Sequence, residues 1–149
     1  MTFDESILIA ASVDAVWENL TSTRLAPQWM GDPEMAVELE TEWDVGGPVV
    51  VRGFHHLPFE NTGKVLVFER GQRLVYTHLS SLSRLPDEPA SYTTLAFTLS
   101  PVTDGTSLGL VASGFPTEAV FRHLRFYWGG ALACLKRQVE GQATTTAAM

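Results

Sequence analysis

A chain of 149 residues is sized for one domain, since separate cores arise only beyond roughly 250 residues. Its formal net charge of −7, with no basic run, argues against a nucleic-acid partner. No apolar stretch approaches the ~20 residues of a membrane span. The one cysteine, Cys134, excludes an internal disulfide framework.

The opening MTFDESILIAAS begins with acidic residues and lacks the basic region of a signal peptide, so the expected compartment is the cytoplasm. Phe3 to Ala10 reads as a first strand. Ser12 offers an N-cap oxygen with Asp14 in the first turn, and Val13, Val16, Trp17 and Leu20 follow at i, i+3, i+4 and i+7. That spacing is one buried face of a short helix. A second short helix covers Thr23 to Met30, with Pro27 near its start or at a break.

From Met35 to Trp43 the period becomes two, with Glu38, Glu40 and Glu42 on the outer side. This predicts a half-buried strand with an acidic wet face. Gly46-Gly47 turns the chain into a third strand through Val49 and Val51. The segment GFHHLPFENT, residues 53 to 62, reads as an apolar flap or contact loop. Gly63–Glu69 and Arg73–Ser80 pair across a tight turn. Tyr92–Ser100 and Thr106–Ser113 pair across TDGT. Thr117 then caps a long helix to about Glu140. After Gly141 the segment QATTTAAM has no apolar period and is expected to be disordered, leaving residues 1–141 as the domain.

The order is strand, two short helices, six strands, long helix. Short turns make an antiparallel meander, and the terminal helix is the one element large enough to cover it. The fold class is α+β. The phrases ILIAASVDAVWENLT, WDVGGPVVVRG, GKVLVFERGQRLVYTH, FTLSPVTDGTSLGLVASGFP and WGGALACLKRQVEG resemble the START-like helix-grip superfamily. Within it they resemble the family named for the activator of the heat-shock protein 90 ATPase. The resemblance implies a curved sheet of about seven strands wrapped around the C-terminal helix, with a ligand cavity between them. Members often carry Trp where His78 stands here, and His where Ala112 stands, so this chain's pocket differs in shape and polarity.

Alternation along the strands then proposes a lining for that cavity. Tyr76 and His78 share a face with Leu74, and His55 shares one with Val49 and Val51. Phe97, Leu110 and Ala112 form apolar walls, with Trp17, Trp29 and Trp128 on the helical side. His55, His78 and Tyr76 are the polar members. His55-His56 does not make a metal site, because neighbours on a strand point to opposite faces, and no ligand spacing accompanies them. Neither a metal nor a cofactor is expected. Cys134 lacks a neighbouring base in sequence and reads as an inert thiol.

The long helix contains Gly129-Gly130, although Gly costs roughly 1 kcal/mol relative to Ala inside a helix. At 100° per residue Phe121, Leu124, Trp128, Ala131, Leu132, Leu135 and Val139 gather on the face toward the sheet. Phe126, Gly129, Gly130 and Ala133 fall outside it and form a smooth patch suited to a second copy of the chain. The leading functional expectation is a non-catalytic domain binding a small hydrophobic or amphipathic ligand. The alternatives are an enzyme resembling polyketide cyclases, with cavity His and Tyr moving protons, and a co-chaperone-like interaction module.

Overall fold

The structure is a computed structural model that describes residues 1–148, with side chains through Gln142. The expected tail, residues 142–149, falls almost wholly outside the residues described at side-chain level. Strand β1 (Thr2–Ile9) precedes helices α1 (Val13–Thr21) and α2 (Ala26–Met30). Strands β2 (Glu38–Thr41), β3 (Pro48–His55), β4 (Leu57–Glu69), β5 (Arg73–Ser80), β6 (Thr93–Val102) and β7 (Gly105–Ser113) lead to α3 (Glu118–Ala148). The seven strands form one antiparallel sheet in the order β1-β7-β6-β5-β4-β3-β2. This is the α+β helix-grip architecture that the sequence implies, with α1 and α2 between the first two strands. No described helix is long and apolar enough to cross a membrane.

Local chemistry accounts for the helix starts. Ser12 Oγ accepts the Ala15 N–H at 3.2 Å, and Thr117 Oγ1 accepts the Val120 N–H at 3.1 Å. Each hydroxyl satisfies a first-turn donor that has no partner within the helix. The stripe Leu124, Trp128, Ala131, Leu132, Leu135 and Val139 is buried, as the 100° projection requires. Along β6 Thr93, Leu95, Phe97 and Leu99 are buried in alternation. A regular period of two therefore faces the helix.

Four boundaries differ from the sequence reading. β2 is confined to Glu38–Thr41 because Pro33 opens a 3-10 turn over Pro33–Met35 and Ala36 adopts a left-handed φ of 47°. An extended run cannot pass through either feature. α2 begins at Ala26 because Ser22 Oγ accepts the N–H groups of Arg24 and Leu25 and holds them in a turn. The supposed flap at residues 53 to 62 is a β3–β4 hairpin with His55 opposite Leu57 and His56 at the tip, φ 63°. α3 continues beyond Glu140, and Gln142 hydrogen-bonds Asn19 at 3.0 Å.

At Gly63 a Cβ would collide with the carbonyl of Thr77. Glycine there lets β4 and β5 approach just before the register shift between Val65 and Val67.

Candidate functional site

The sequence-derived lining separates into three groups. Tyr76, Phe97, Trp128 and Trp29 form a continuous row of rings across the middle of the grip. Tyr76 stacks on Phe97 with centroids 5.9 Å apart, Phe97 meets Trp128 at 5.3 Å, and Trp128 meets Trp29 at 6.0 Å. Trp43 extends the row from the other side of Tyr76 at 5.9 Å. Trp17 packs on Phe68 at 5.3 Å, and Leu110 and Ala112 are fully buried. Val51 is half-buried and packs against this core. The centre that alternation assigned to a cavity is therefore filled with side chains.

His55 forms the second group. It shares the strand parity of Val49 and Val51, yet it is exposed next to the tip of the β3–β4 hairpin. Its ring lies 4.7 Å from that of His56, which is also exposed. Among the described residues no group of three or more His, Cys, Asp or Glu is arranged to hold a metal ion.

His78 is the third group, and it borders open space. A cleft of about 380 Å³ lies between the end of β5, the segment after it and the first turns of α3. β5 contributes His78, Leu79 and Ser80, and the following segment contributes Leu82, Ser83, Leu85 and Ser91. The helix contributes Ala119, Val120, His123 and Leu124 beside Thr117. Residues 119 and 123, like 120 and 124, are four apart and lie one above the other on a helix.

A short hydrogen bond shapes the rim: Ser83 Oγ donates to the Ser80 carbonyl at 2.7 Å. Four leucines, Val120 and Ala119 supply the apolar part of the walls, and three serines, Thr117 and the two histidines supply the polar part, the mixture of apolar surface and placed polar groups found in small-molecule sites.

Burial is the main reason that the His78 imidazole is depressed to about 4, and the nearby His123 lowers it further. It is therefore neutral at pH 7, with one nitrogen donating and one accepting. Burial likewise pushes the Tyr76 and Tyr127 phenols upward, Tyr76 with a smaller push from Tyr127 and Tyr127 from Cys134. The Tyr127 hydroxyl donates to the Met30 carbonyl at 2.7 Å, a bond that ties α3 to the end of α2.

His123, Val120 and Leu124 were not among the sequence candidates. The helical projection places Leu124 in the core, and His123 sits on the flank of the packed stripe, where polar residues normally face water. The available signal was the four-residue spacing of 119/123 and 120/124 beyond a capping Thr117, near the sheet end that carries His78.

A family model described as activator of Hsp90 ATPase homolog 1-like protein matches residues 10–140. Among curated proteins none matches. Among solved structures, protein CV1439 from Chromobacterium violaceum superposes with a TM-score of 0.78 at 18% identity, covering 94% of this chain and 98% of that one. ChR145 from Cytophaga hutchinsonii gives 0.78 at 25% identity, covering 97% of each chain. The Aha1 dimer from Colwellia psychrerythraea gives 0.74 at 19% identity, covering 94% and 96%. The family match spans most of the chain and agrees with the observed order of elements, so this chain belongs to the activator of Hsp90 ATPase homolog 1-like family.

Proposed function

We propose that the cleft beside His78 and His123 binds a small hydrophobic or amphipathic molecule and that the domain acts by binding rather than by turnover. The observation that carries this reading is the cleft of about 380 Å³, walled by Leu79, Leu82, Leu85, Val120 and Leu124, with two imidazoles at its edge. That volume falls at the lower end for small-molecule sites, and apolar walls with a few placed polar groups are their usual make-up. Among the described residues its lining includes no carboxylate to orient a histidine or to recharge it after proton transfer. A binder needs neither. A single thiol with no disulfide partner suits a reducing compartment, and the cytoplasm is the proposed location.

Two measurements test the reading. Native mass spectrometry of freshly purified protein is expected to reveal a co-purifying small molecule. Apolar compounds are expected to raise the melting temperature by mass action on the native state, and Val120→Trp, which fills the cleft, is expected to abolish the rise. Stabilisation that survives the plug would place binding elsewhere and defeat the proposal.

A catalytic reading, resembling the polyketide cyclases, draws on the neutral His78 imidazole as a proton acceptor. It requires that His78→Ala remove turnover while binding survives. A second copy of the chain is also proposed as a partner through Phe126, Gly129, Gly130 and Ala133. Phe126 is 87% exposed, the two glycines have no neighbouring atoms where a Cβ would sit, and the Colwellia relative is described as a dimer. The co-chaperone reading has only the family's name behind it.

A further inference from the structure

Every polar side chain in the cleft lining can donate a hydrogen bond. They are His78, Ser80, Ser83, Ser91, Thr117 and His123, and no carboxylate or amide side chain stands among them. Among the described residues the fold uses only one of these donors. Ser83 Oγ donates to the Ser80 carbonyl at 2.7 Å and accepts the Leu85 N–H at 3.3 Å. Ser80 Oγ accepts the Leu82 N–H at 3.2 Å, and Thr117 Oγ1 accepts the Val120 N–H at 3.1 Å. Each of those two hydroxyls therefore still has its proton to give. Ser91 is buried at 5% exposure, and among the described residues its hydroxyl has no hydrogen-bond partner. A buried hydroxyl left without one is unusual, and this one borders open space.

The first turn of α3 adds donors of its own. Thr117 takes the Val120 N–H through its side chain and the Phe121 N–H through its carbonyl. The N–H groups of Glu118 and Ala119 have no partner among the described residues, as is usual at a helix start. The positive end of the helix dipole lies there too. Ser91 is an independent sign, because it comes from the segment between β5 and β6 and not from the helix.

Donors from β5, from the segment after it and from α3 thus border one space, and their complement is a group made of acceptors. An ammonium has donors alone and would leave these protons unpaired. A carboxylate has acceptors alone, and its charge suits the helix start. A ketone accepts too, with one oxygen in place of two and no charge for the helix start to favour. The lining holds no Lys or Arg, so a doubly charged phosphate would lack a counter-charge. Asp87, Glu88 and Glu118 lie on the bordering segments but outside the lining, and Glu118 is paired with Arg122. The four leucines and Val120 favour an apolar remainder.

We infer that the cleft takes an amphipathic monocarboxylate, with its carboxylate held by Ser91, Thr117 and the start of α3 and its apolar body among the leucines. This assignment rests on the cleft being the ligand site proposed above.

Three probes with one apolar body separate the head groups: 2-naphthoate, 2-acetonaphthone and naphthalene. They are titrated calorimetrically against the full chain at pH 7.5, where the acid is ionised. 2-Naphthoate is expected to bind at least about tenfold more tightly than either of the others. Ser91→Ala, which breaks no bond within the fold, is expected to weaken 2-naphthoate about tenfold and to leave naphthalene unchanged. A ketone that binds as tightly as the acid would overturn the anion in favour of a neutral acceptor. Equal affinity for all three, abolished by Val120→Trp, would overturn the head-group assignment and leave the cleft as a site. A preference for the acid that Ser91→Ala leaves intact would overturn the placement of the carboxylate. No binding of any probe, or binding indifferent to the plug, would overturn both readings.

Discussion

Phe97 of β6 meets Trp128 of α3 edge to face, with ring centroids 5.3 Å apart and planes inclined at 67°. Such pairs contribute about 0.5–1.5 kcal/mol beyond the area they bury. Here the contact also determines where the molecule is hollow. With Tyr76 stacked on the other side of Phe97 and Trp29 beyond Trp128, the middle of the grip is occupied. Open space is left at the end of β5, beside the start of α3.

Phe97 is fully buried, so Phe97→Ala removes a ring from the centre of the row. The expected loss is about 3–5 kcal/mol, from the transfer term and the void together. Urea unfolding monitored by tryptophan fluorescence measures it. The void should also accept benzene, which would recover part of the stability. A loss under about 1 kcal/mol would show that the rings do not pack as described.

The His78 imidazole gives a pH dependence with a definite sign. Its proton affinity in the folded chain is lowered from the ordinary 6.5 to about 4 by burial, helped by His123. Between those values the unfolded chain holds a proton that the native chain refuses. The contribution is therefore complete above pH 6.5 and is lost as the pH falls toward 4. The ring is only half-buried, so water moderates the effect, and about 1–2 kcal/mol is expected between pH 7 and pH 5. His78→Phe should flatten the urea midpoint over that range. Glu140 acts in a separate window. The backbone N–H of Ala10, and then Lys136, hold its carboxyl below 4.5, so its contribution is present above 4.5 and lost only below.

The parts of this fold that were legible in the sequence are those in which neighbouring residues carry the signal. Val16, Trp17 and Leu20 announce the buried face of α1. The alternation through Leu95, Phe97 and Leu99 announces β6, and both hold because one repeat faces one packed layer. His55 shows the limit of that logic. Parity gives a direction and not what lies in that direction. The filled centre was illegible for a related reason, since whether Tyr76, Phe97 and Trp128 leave a gap depends on how three distant segments fit. Ala36 adopts a positive φ with no glycine or asparagine to advertise it, and so β2 was read too long.

Asn19 belongs to the same illegible class and yields a prediction of its own. It is buried at 2% exposure in an otherwise apolar helix face. Its Nδ2 donates to the Ala15 carbonyl at 2.8 Å and to Gln142 Oε1 at 3.0 Å. Its Oδ1 accepts from Gln138 Nε2 at 3.0 Å and Gln142 Nε2 at 3.1 Å. The Asn19 carbonyl accepts the Trp29 indole N–H at 2.8 Å. One side chain thus fastens α1 to the far part of α3. Asn19→Ala is expected to cost about 1–3 kcal/mol by stranding the glutamine amides. Combined with Gln138→Ala, it should show a coupling of at least about 0.5 kcal/mol in a double-mutant cycle. Additive losses would mean that the bonds do not act as a network.

The glycines of this chain divide by what surrounds them, and that division gives the last test. A Cβ at Gly63 would strike the Thr77 carbonyl, which belongs to backbone and cannot turn aside. Gly63→Ala is therefore expected to destabilise by about 3 kcal/mol or more. A Cβ at Gly130 meets nothing within 4 Å, so in an isolated chain Gly130→Ala should stabilise α3 by about 1 kcal/mol through helix propensity. A chain that retains glycine where alanine would hold the helix better has a reason for it if another backbone approaches there, and Phe126 stands exposed on the same side. With a second copy seated on this face, Gly130→Leu would separate the two helices. Sedimentation should then show the monomer–dimer balance moving toward monomer. If the balance does not move, the glycine pair is merely tolerated by a helix whose opposite face is held by Leu124, Trp128 and Leu135, and the proposed partner is lost.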